Sequence, residues 1–268
     1  MFITFLSDFG LQDDFVGTCH GVMKRIAPEA HIIDITHGIP PQHVLQGALV
    51  LRDTLPYMPE GVHLAVVDPG VGGHRRALAL RTGEGRILVG PDNGLILPAA
   101  DLLGGVEIVH ELANPEYALD TVSRTFHGRD LFAPAAAHLA CGVALEELGP
   151  PVDPQALVQL DMPEPEIGQS RINATALYVD QFGNVRLNLT RRQLEDADVL
   201  PGVTVELELA LERYYAVAAR TFADAAPGDI ILYEDSYRNV AVAIRGGNAA
   251  ELFGVTPGQE VRIHLRSP

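Results

Sequence analysis

Short apolar runs and amphipathic stretches alternate over the first 150 or so residues. Phe2 to Leu6 reads as a strand and is followed by the polar loop Ser7 to Asp14. Asp13 or Asp14 then caps a helix through about Ile26, with Val16, Cys19, Val22, Met23 and Ile26 on one face. His31 to Ile35 has strand character, and Val44 to Leu55 follows Pro40-Pro41 as a helix. Val62 to Val67 is almost continuously apolar, as expected of a strand covered on both faces. Strands at Ala77 to Arg81, Arg86 to Val89 and Val106 to His110 precede a long helix from about Arg129 to Ala144. This alternation predicts a three-layer α/β domain around a mainly parallel sheet, over residues 1–160.

The pattern changes after Leu148. Up to Gly168 the chain carries Pro150, Pro151, Pro154, Pro163 and Pro165 with no periodicity, and reads as a linker. Beyond it come β-rich runs at Ile172 to Val179, Val185 to Leu189, Val203 to Leu209, Tyr214 to Ala219, Ile230 to Leu232, Val240 to Ile244 and Val261 to Leu265. Pro201-Gly202, Pro227-Gly228 and Pro257-Gly258 supply turns between them. A second, all-β domain over residues 161–268, a small barrel or sandwich, is the expected result.

Composition narrows the partners. A net charge of −16 without a basic stripe argues against nucleic acid and mildly favours a cationic small molecule. No apolar run approaches the roughly 20 residues that span a bilayer, so no membrane partner is expected. The first segment, with no basic flank and an early Asp8, reads as a strand rather than a signal peptide. Cys19 and Cys141 lie apart in helix-like stretches, which fits a reducing cytoplasm. His20, His31, His37 and His43 are crowded but lack a recurring ligand spacing, so no metal site is expected.

Four segments put polar, flexible groups directly after strands, where open α/β sheets bind ligands. Asp8, in Ser7-Asp8-Phe9-Gly10, has the two acceptor oxygens that suit a ribose cis-diol. Asp68 ends a strand before the glycine-rich run Pro69 to Gly73, with Arg75 and Arg76 beyond it; taken alone, the run also fits a tight turn with surface arginines. Thr125-Phe126-His127-Gly128-Arg129-Asp130 opens the long helix with a histidine able to titrate near neutrality. Asp180-Gln181-Phe182-Gly183-Asn184 has the composition of a β-turn. There is no nucleophile-elbow, zinc-helix or dinucleotide motif to suggest other chemistry.

Together, in this order and spacing, these segments resemble the S-adenosylmethionine hydroxide adenosyltransferases, relatives of fluorinase and chlorinase, from Phe2 to about Leu265. The resemblance implies an N-terminal α/β domain, a C-terminal β-barrel and a homotrimer with substrate bound between subunits. It implies hydrolysis of S-adenosylmethionine to adenosine and methionine without a cofactor. Asp68, Arg75 and His127 match the family's water-activating triad, and Asp8 matches its ribose ligand. Asp180, Asn184 and Ser236 match methionine-side contacts, and Asn248-Ala249-Ala250, with Asn248 and Ala250 as contacts, resembles the adenine-side segment. Phe126 and Gly128 lie where halogenating relatives shape a halide pocket.

Departures from the pattern bear on which branch the chain resembles. Halogenating relatives lack an acid at the position of Asp68, which here would repel a halide and orient water instead, and at Val71 or Gly128 they carry a hydroxyl that helps hold halide. Gln42 replaces a stacking aromatic, and Tyr237 stands where fluorinase-like enzymes carry an arginine, leaving Arg238 or backbone for a carboxylate contact. A halide-dependent adenosyltransferase would share the fold but use another nucleophile. A non-catalytic adenosine or S-adenosylmethionine sensor would need Asp8, Asp180 and Asn184 but no triad.

Overall fold

The computed structural model describes residues 1–209 and 212–265. The chain forms two compact units, Met1–Asp161 and Met162–Pro268.

The first unit holds a six-stranded sheet. Its strands are β1 (Phe2–Ser7), β2 (His31–Thr36), β3 (Gly61–Val66), β4 (Ala77–Thr82), β5 (Ile87–Pro91) and β6 (Val106–Glu111). They lie in the order β2-β1-β3-β5-β4-β6. The pairs β2–β1, β1–β3 and β3–β5 are parallel, while β4 runs against both β5 and β6. Helices α1 (Phe15–Ile26), α2 (Val44–Thr54), α3 (Leu97–Leu102) and α4 (Ala133–Ala140) complete the unit. One face packs against α1 and α4 through Val16, Cys19, Met23 and Ala136, with Phe132 just ahead of α4, and the other against α2 and α3 through Ala48, Leu51, Ala99 and Ala100. β3 is buried from Val62 to Val66, as its continuous apolar run predicts.

Three local expectations need correction. Asp14 occupies the position before α1 but its side chain bonds no backbone amide; Oδ2 accepts from Thr18 Oγ1 at 3.0 Å. The helix expected over 129–144 is a π-turn at Gly128–Phe132 followed by the short α4. Pro134 has no N–H to donate four residues back. The Asp130 carbonyl it would have used accepts from Leu119 N at 2.9 Å instead. The proline-rich stretch is no loose tether either. Leu157 is buried, Val158 N donates to Asp92 Oδ1 at 2.9 Å, and Pro151 bridges to His110.

The second unit is a closed barrel. Its strands are β7 (Glu166–Ile167), β8 (Arg171–Val179), β9 (Val185–Thr190), β10 (Thr204–Leu209), β11 (Glu212–Ala218), β12 (Ile230–Glu234), β13 (Asn239–Ile244) and β14 (Glu260–His264). They follow the order β14-β10-β11-β12-β13-β9-β8-β7, and pairing of β14 with β8 closes the ring of seven, leaving β7 as a short addition. Closure removes the open edges that a small sheet would otherwise expose. Alternate residues such as Ile172, Ala174 and Ala176, with Val205, Leu207 and Leu209 opposite, fill its interior. Two short helices, α5 (Arg191–Asp196) and α6 (Ala249–Phe253), cover it; Thr190 and Gln193 form a capping box at the first.

Candidate active site

In the first unit, sheet order reverses direction around β1: β2 lies on one side and β3 on the other. Such a switch point opens a crevice at the strand carboxyl ends. Asp8 follows β1 and Asp68 follows β3, whose ends are in register at Ser7 and Val66. Asp8 Oδ2 accepts from Gln42 N at 2.8 Å. Burial raises the Asp8 pKa, backbone hydrogen bonds oppose the rise, and the Asp68 charge adds to it.

Asp68 and Arg75 form a nearly enclosed pair, 6% and 11% exposed at their side chains. Arg75 Nε lies 3.0 and 2.9 Å from Asp68 Oδ1 and Oδ2, and its Nη2 lies 2.5 Å from Oδ2. The same Nη2 is 2.7 Å from His127 Nδ1. Arg76, its neighbour, serves structure: it pairs with Asp92 at 2.6 Å and donates to the Ala156 carbonyl.

Two loops must approach closely for His127 to reach Arg75. Gly72 adopts φ +74°, and a Cβ there would stand 2.2 Å from the Arg124 carbonyl oxygen, so only glycine allows the contact. Fully buried Asp130 holds the other loop by accepting from Ser123 N at 2.8 Å. Burial pushes its carboxyl up, but the Arg129 and Ser123 hydrogen bonds outweigh this and leave it below the usual range. The motif carrying His127 contains this positioning residue three places on, a signal the sequence offered without a role.

Phe126 lies against Phe15 and Phe9, with ring centroids 5.1 and 5.6 Å away. Gly128 faces the same group: a Cβ there would meet Phe9 Cζ at 2.7 Å.

In the second unit, Asp180 organises the tip joining β8 and β9. Its Oδ1 accepts from Phe182 N and Asn184 N, both at 2.9 Å, and its Oδ2 accepts from Asn184 Nδ2 at 2.8 Å. Gly183, at φ +80°, lies under Asn248, whose Oδ1 would stand 1.9 Å from an added Cβ. Asn248 caps α6 through Glu251 N, and Ala250 N donates to the Gly183 carbonyl at 2.9 Å. Asp180, Asn184, Asn248 and Ala250 are therefore one cluster. Beside it, Phe182, Asn184, Phe222, Ile244, Gly246 and Gly247 line an open depression of about 460 Å³.

Ser236 takes no part in those hydrogen bonds and is exposed on the β12–β13 turn. Arg186, missed from sequence, anchors that turn. It is 3% exposed, donates from Nε to Asp235 Oδ2 at 2.6 Å, and lies between the rings of Tyr178 and Tyr237 at 4.7 and 5.0 Å. An arginine inside the apolar run of β9 was the available signal. Arg238 points its charge to Glu234, 3.2 Å away. Burial pushes the Tyr233 phenol up to about 12, helped by the Asp180 and Asp235 carboxylates.

The SAM hydroxide adenosyltransferase N-terminal domain matches residues 3–149, and the C-terminal domain of the same family matches residues 174–262. The chain belongs to the SAM hydroxide adenosyltransferase family. This family member is 50% identical over 261 residues to a protein of Salinispora arenicola named (R)-S-adenosyl-L-methionine hydrolase, covering 97% of each chain. A fluorinase from an Actinoplanes species is 29% identical, covering 97% of this chain and 96% of its own. The crystal structure of a conserved protein from Thermotoga maritima superposes with a TM-score of 0.89 at 35% identity, over 97% of this chain and 99% of that one.

Proposed function

We propose that this protein hydrolyses S-adenosyl-L-methionine to adenosine and L-methionine, the reaction in the name of its Salinispora relative. The Asp68–Arg75–His127 chain carries this reading. In the step, water oxygen bonds to the ribose 5′-carbon, the carbon–sulfur bond breaks, and its electron pair leaves with the methionine thioether. One water proton must be taken up. The sulfonium is already a good leaving group, so the reaction needs neither a general acid nor a cofactor.

The hydrogen bonds favour Asp68 as the proton's first acceptor. Arginine only donates, so the 2.7 Å contact uses the His127 Nδ1 lone pair. Asp68 Oδ1 takes a single Arg75 bond and keeps acceptor capacity for water. A carboxylate is a weak base, but water becomes strongly acidic as its oxygen bonds to carbon. Arg75 holds the carboxylate in place, and His127 holds Arg75. Asp8 Oδ1 is the oxygen left to a ribose hydroxyl, since Oδ2 takes Gln42 N. The Phe182 and Phe222 depression, with the Asn184 amide at its edge, suits a flat heteroaromatic base such as adenine. Asp180 and Ser236 serve the methionine end in this reading.

The halide alternative is disfavoured by Gly128. A hydroxyl-bearing side chain there would have to displace Phe9. A sensor would not require the guanidinium-bridged triad. The same reading takes the enzyme as a cytoplasmic homotrimer whose sites are completed between subunits, a state that sedimentation measures directly. Among the described residues, no helix is long and apolar enough to cross a membrane.

The deciding experiment is product analysis of chelator-treated protein with the (R) and (S) sulfonium epimers, with and without chloride. Equal adenosine and methionine from the (R) epimer, indifferent to chloride, is expected. Halogenated adenosine, or binding without turnover, would overturn the reading.

A further inference from the structure

Three side chains outside the triad converge in the first unit: His20 from α1, Asp34 from β2, and His37 just beyond it. His20 Nε2 lies 2.9 Å from Asp34 Oδ1, and His37 Nε2 lies 3.1 Å from the same oxygen. The donor atoms of all three lie within 4.8 Å of one another. We propose that His20 Nε2, Asp34 Oδ1 and His37 Nε2 form a binding site for a zinc-class divalent cation, distinct from the Asp68–Arg75–His127 triad.

Geometry supports a shared cation. Ligand atoms around a tetrahedral zinc with bonds of about 2.0–2.1 Å stand roughly 3.3 Å apart, so small side-chain shifts from the observed spacings suffice. Two imidazoles with one carboxylate are a common zinc donor set, and water fills the fourth position in sites of this type. The partly exposed His20 and Asp34, at 32% and 41%, leave a route for the ion and its water.

His37 gives the independent sign. It is 4% exposed, yet among the described residues its Nε2 makes no hydrogen bond of good geometry, although Asp34 Oδ1 stands 3.1 Å away. Its other nitrogen, Nδ1, is 2.7 Å from Ser7 Oγ. With Nδ1–H donating to Ser7, Nε2 presents its lone pair to a carboxylate oxygen, an arrangement that a cation between them relieves. A metal-binding histidine is normally oriented by such a bond from its second nitrogen.

Occupancy would tie α1 to the end of β2 and brace the loop that begins at Ser7. Ser7 Oγ also accepts from Phe9 N at 3.3 Å, and Gly10 N donates to the His37 carbonyl at 2.8 Å. The ion's effect is therefore structural.

The test is equilibrium dialysis of the chelator-stripped full chain against zinc, with cobalt(II) absorption as a report of coordination and a thermal melt beside it. One zinc per chain, visible cobalt bands of a four- or five-coordinate site, and a rise in Tm are expected. His20→Ala and Asp34→Asn, both at partly exposed positions, should each weaken zinc binding at least about tenfold, and Ser7→Ala by about 10–100-fold. His31→Ala should leave the affinity unchanged. Absence of saturable binding, or binding that survives both His20→Ala and Asp34→Asn in folded protein, would overturn the proposal whatever the hydrolysis assay gives.

Discussion

Arg75 Nη2 donates to His127 Nδ1 at 2.7 Å, which fixes His127 as the neutral imidazole with its proton on Nε2. Burial and the Arg75 charge lower its pKa from 6.5, while Asp68 and the Ser123 backbone carbonyl pull it upward. Arg75→Gln removes the cation and should move the His127 NMR titration to higher pH. Asp68→Asn should move it further down. A midpoint unmoved by Arg75→Gln would contradict the contact.

Kinetics should rank the triad. Loss of a positioned proton acceptor typically costs about 10²–10⁴-fold, so Asp68→Asn should lower kcat by that order with KM within a few-fold. His127→Ala removes only a partner of Arg75 and should cost roughly 10–100-fold, the scale of one charged hydrogen bond. Steady-state adenosine release measures both. A larger loss in His127→Ala would reassign the proton to the histidine.

Gly128→Ser tests why this chain does not resemble the halogenating branch at that position. The new Cβ would lie 2.7 Å from Phe9 Cζ, in a ring cluster already filled by Phe126 and Phe15. Overpacking of this kind costs about 1–3 kcal/mol, read by denaturant unfolding. No halogenated adenosine is expected from the single variant. Phe9→Leu in the same chain should recover the lost stability.

Gly183→Ala should loosen the Asp180 cluster. The residue sits at φ +80°, where an L side chain costs roughly 1–2 kcal/mol, and its Cβ would displace the Asn248 cap of α6. Lower stability of the variant and weaker substrate binding, seen by calorimetry, are expected together.

His63 should make the fold acid-sensitive. It is fully buried, its Nδ1 is 2.9 Å from Thr4 Oγ1, and burial, then Arg86, lowers its pKa to about 4. The unfolded chain takes up the proton near 6.5, so stability present above that pH is lost as pH falls toward about 4. The loss from this group is on the order of 3 kcal/mol. His63→Gln keeps a polar partner for Thr4 and should flatten unfolding free energy across that window.

Much of the fold was legible. β1, β3 and the barrel strands follow apolar runs because burial on one or both sheet faces imposes a local pattern. α3 was not: six residues starting Leu97-Pro98 are too few to show a helical period. The helix expected from Arg129 was overextended because Pro134 forced a wider turn ahead of it. Asp8 and Asp68 were legible as groups after strands, and His127 as the head of a helix. Arg186 was hidden, because its place between two tyrosines arises from pairing of Tyr178 with Arg186 and from a turn nearly fifty residues away.

The sequence by itself determined the α/β alternation, the change to β-strands beyond the prolines, and the residue types at each strand end, because these depend on periodicity and turn chemistry within a few residues. Tertiary structure decided which side chains meet. The switch in strand order sets Asp8 beside Asp68, Gly72 lets the Arg124 loop bring His127 to Arg75, and packing of α1 against the sheet brings His20 to Asp34 and His37. Contacts of that kind join residues far apart in the chain, and no local pattern encodes their distance or which nitrogen keeps its lone pair.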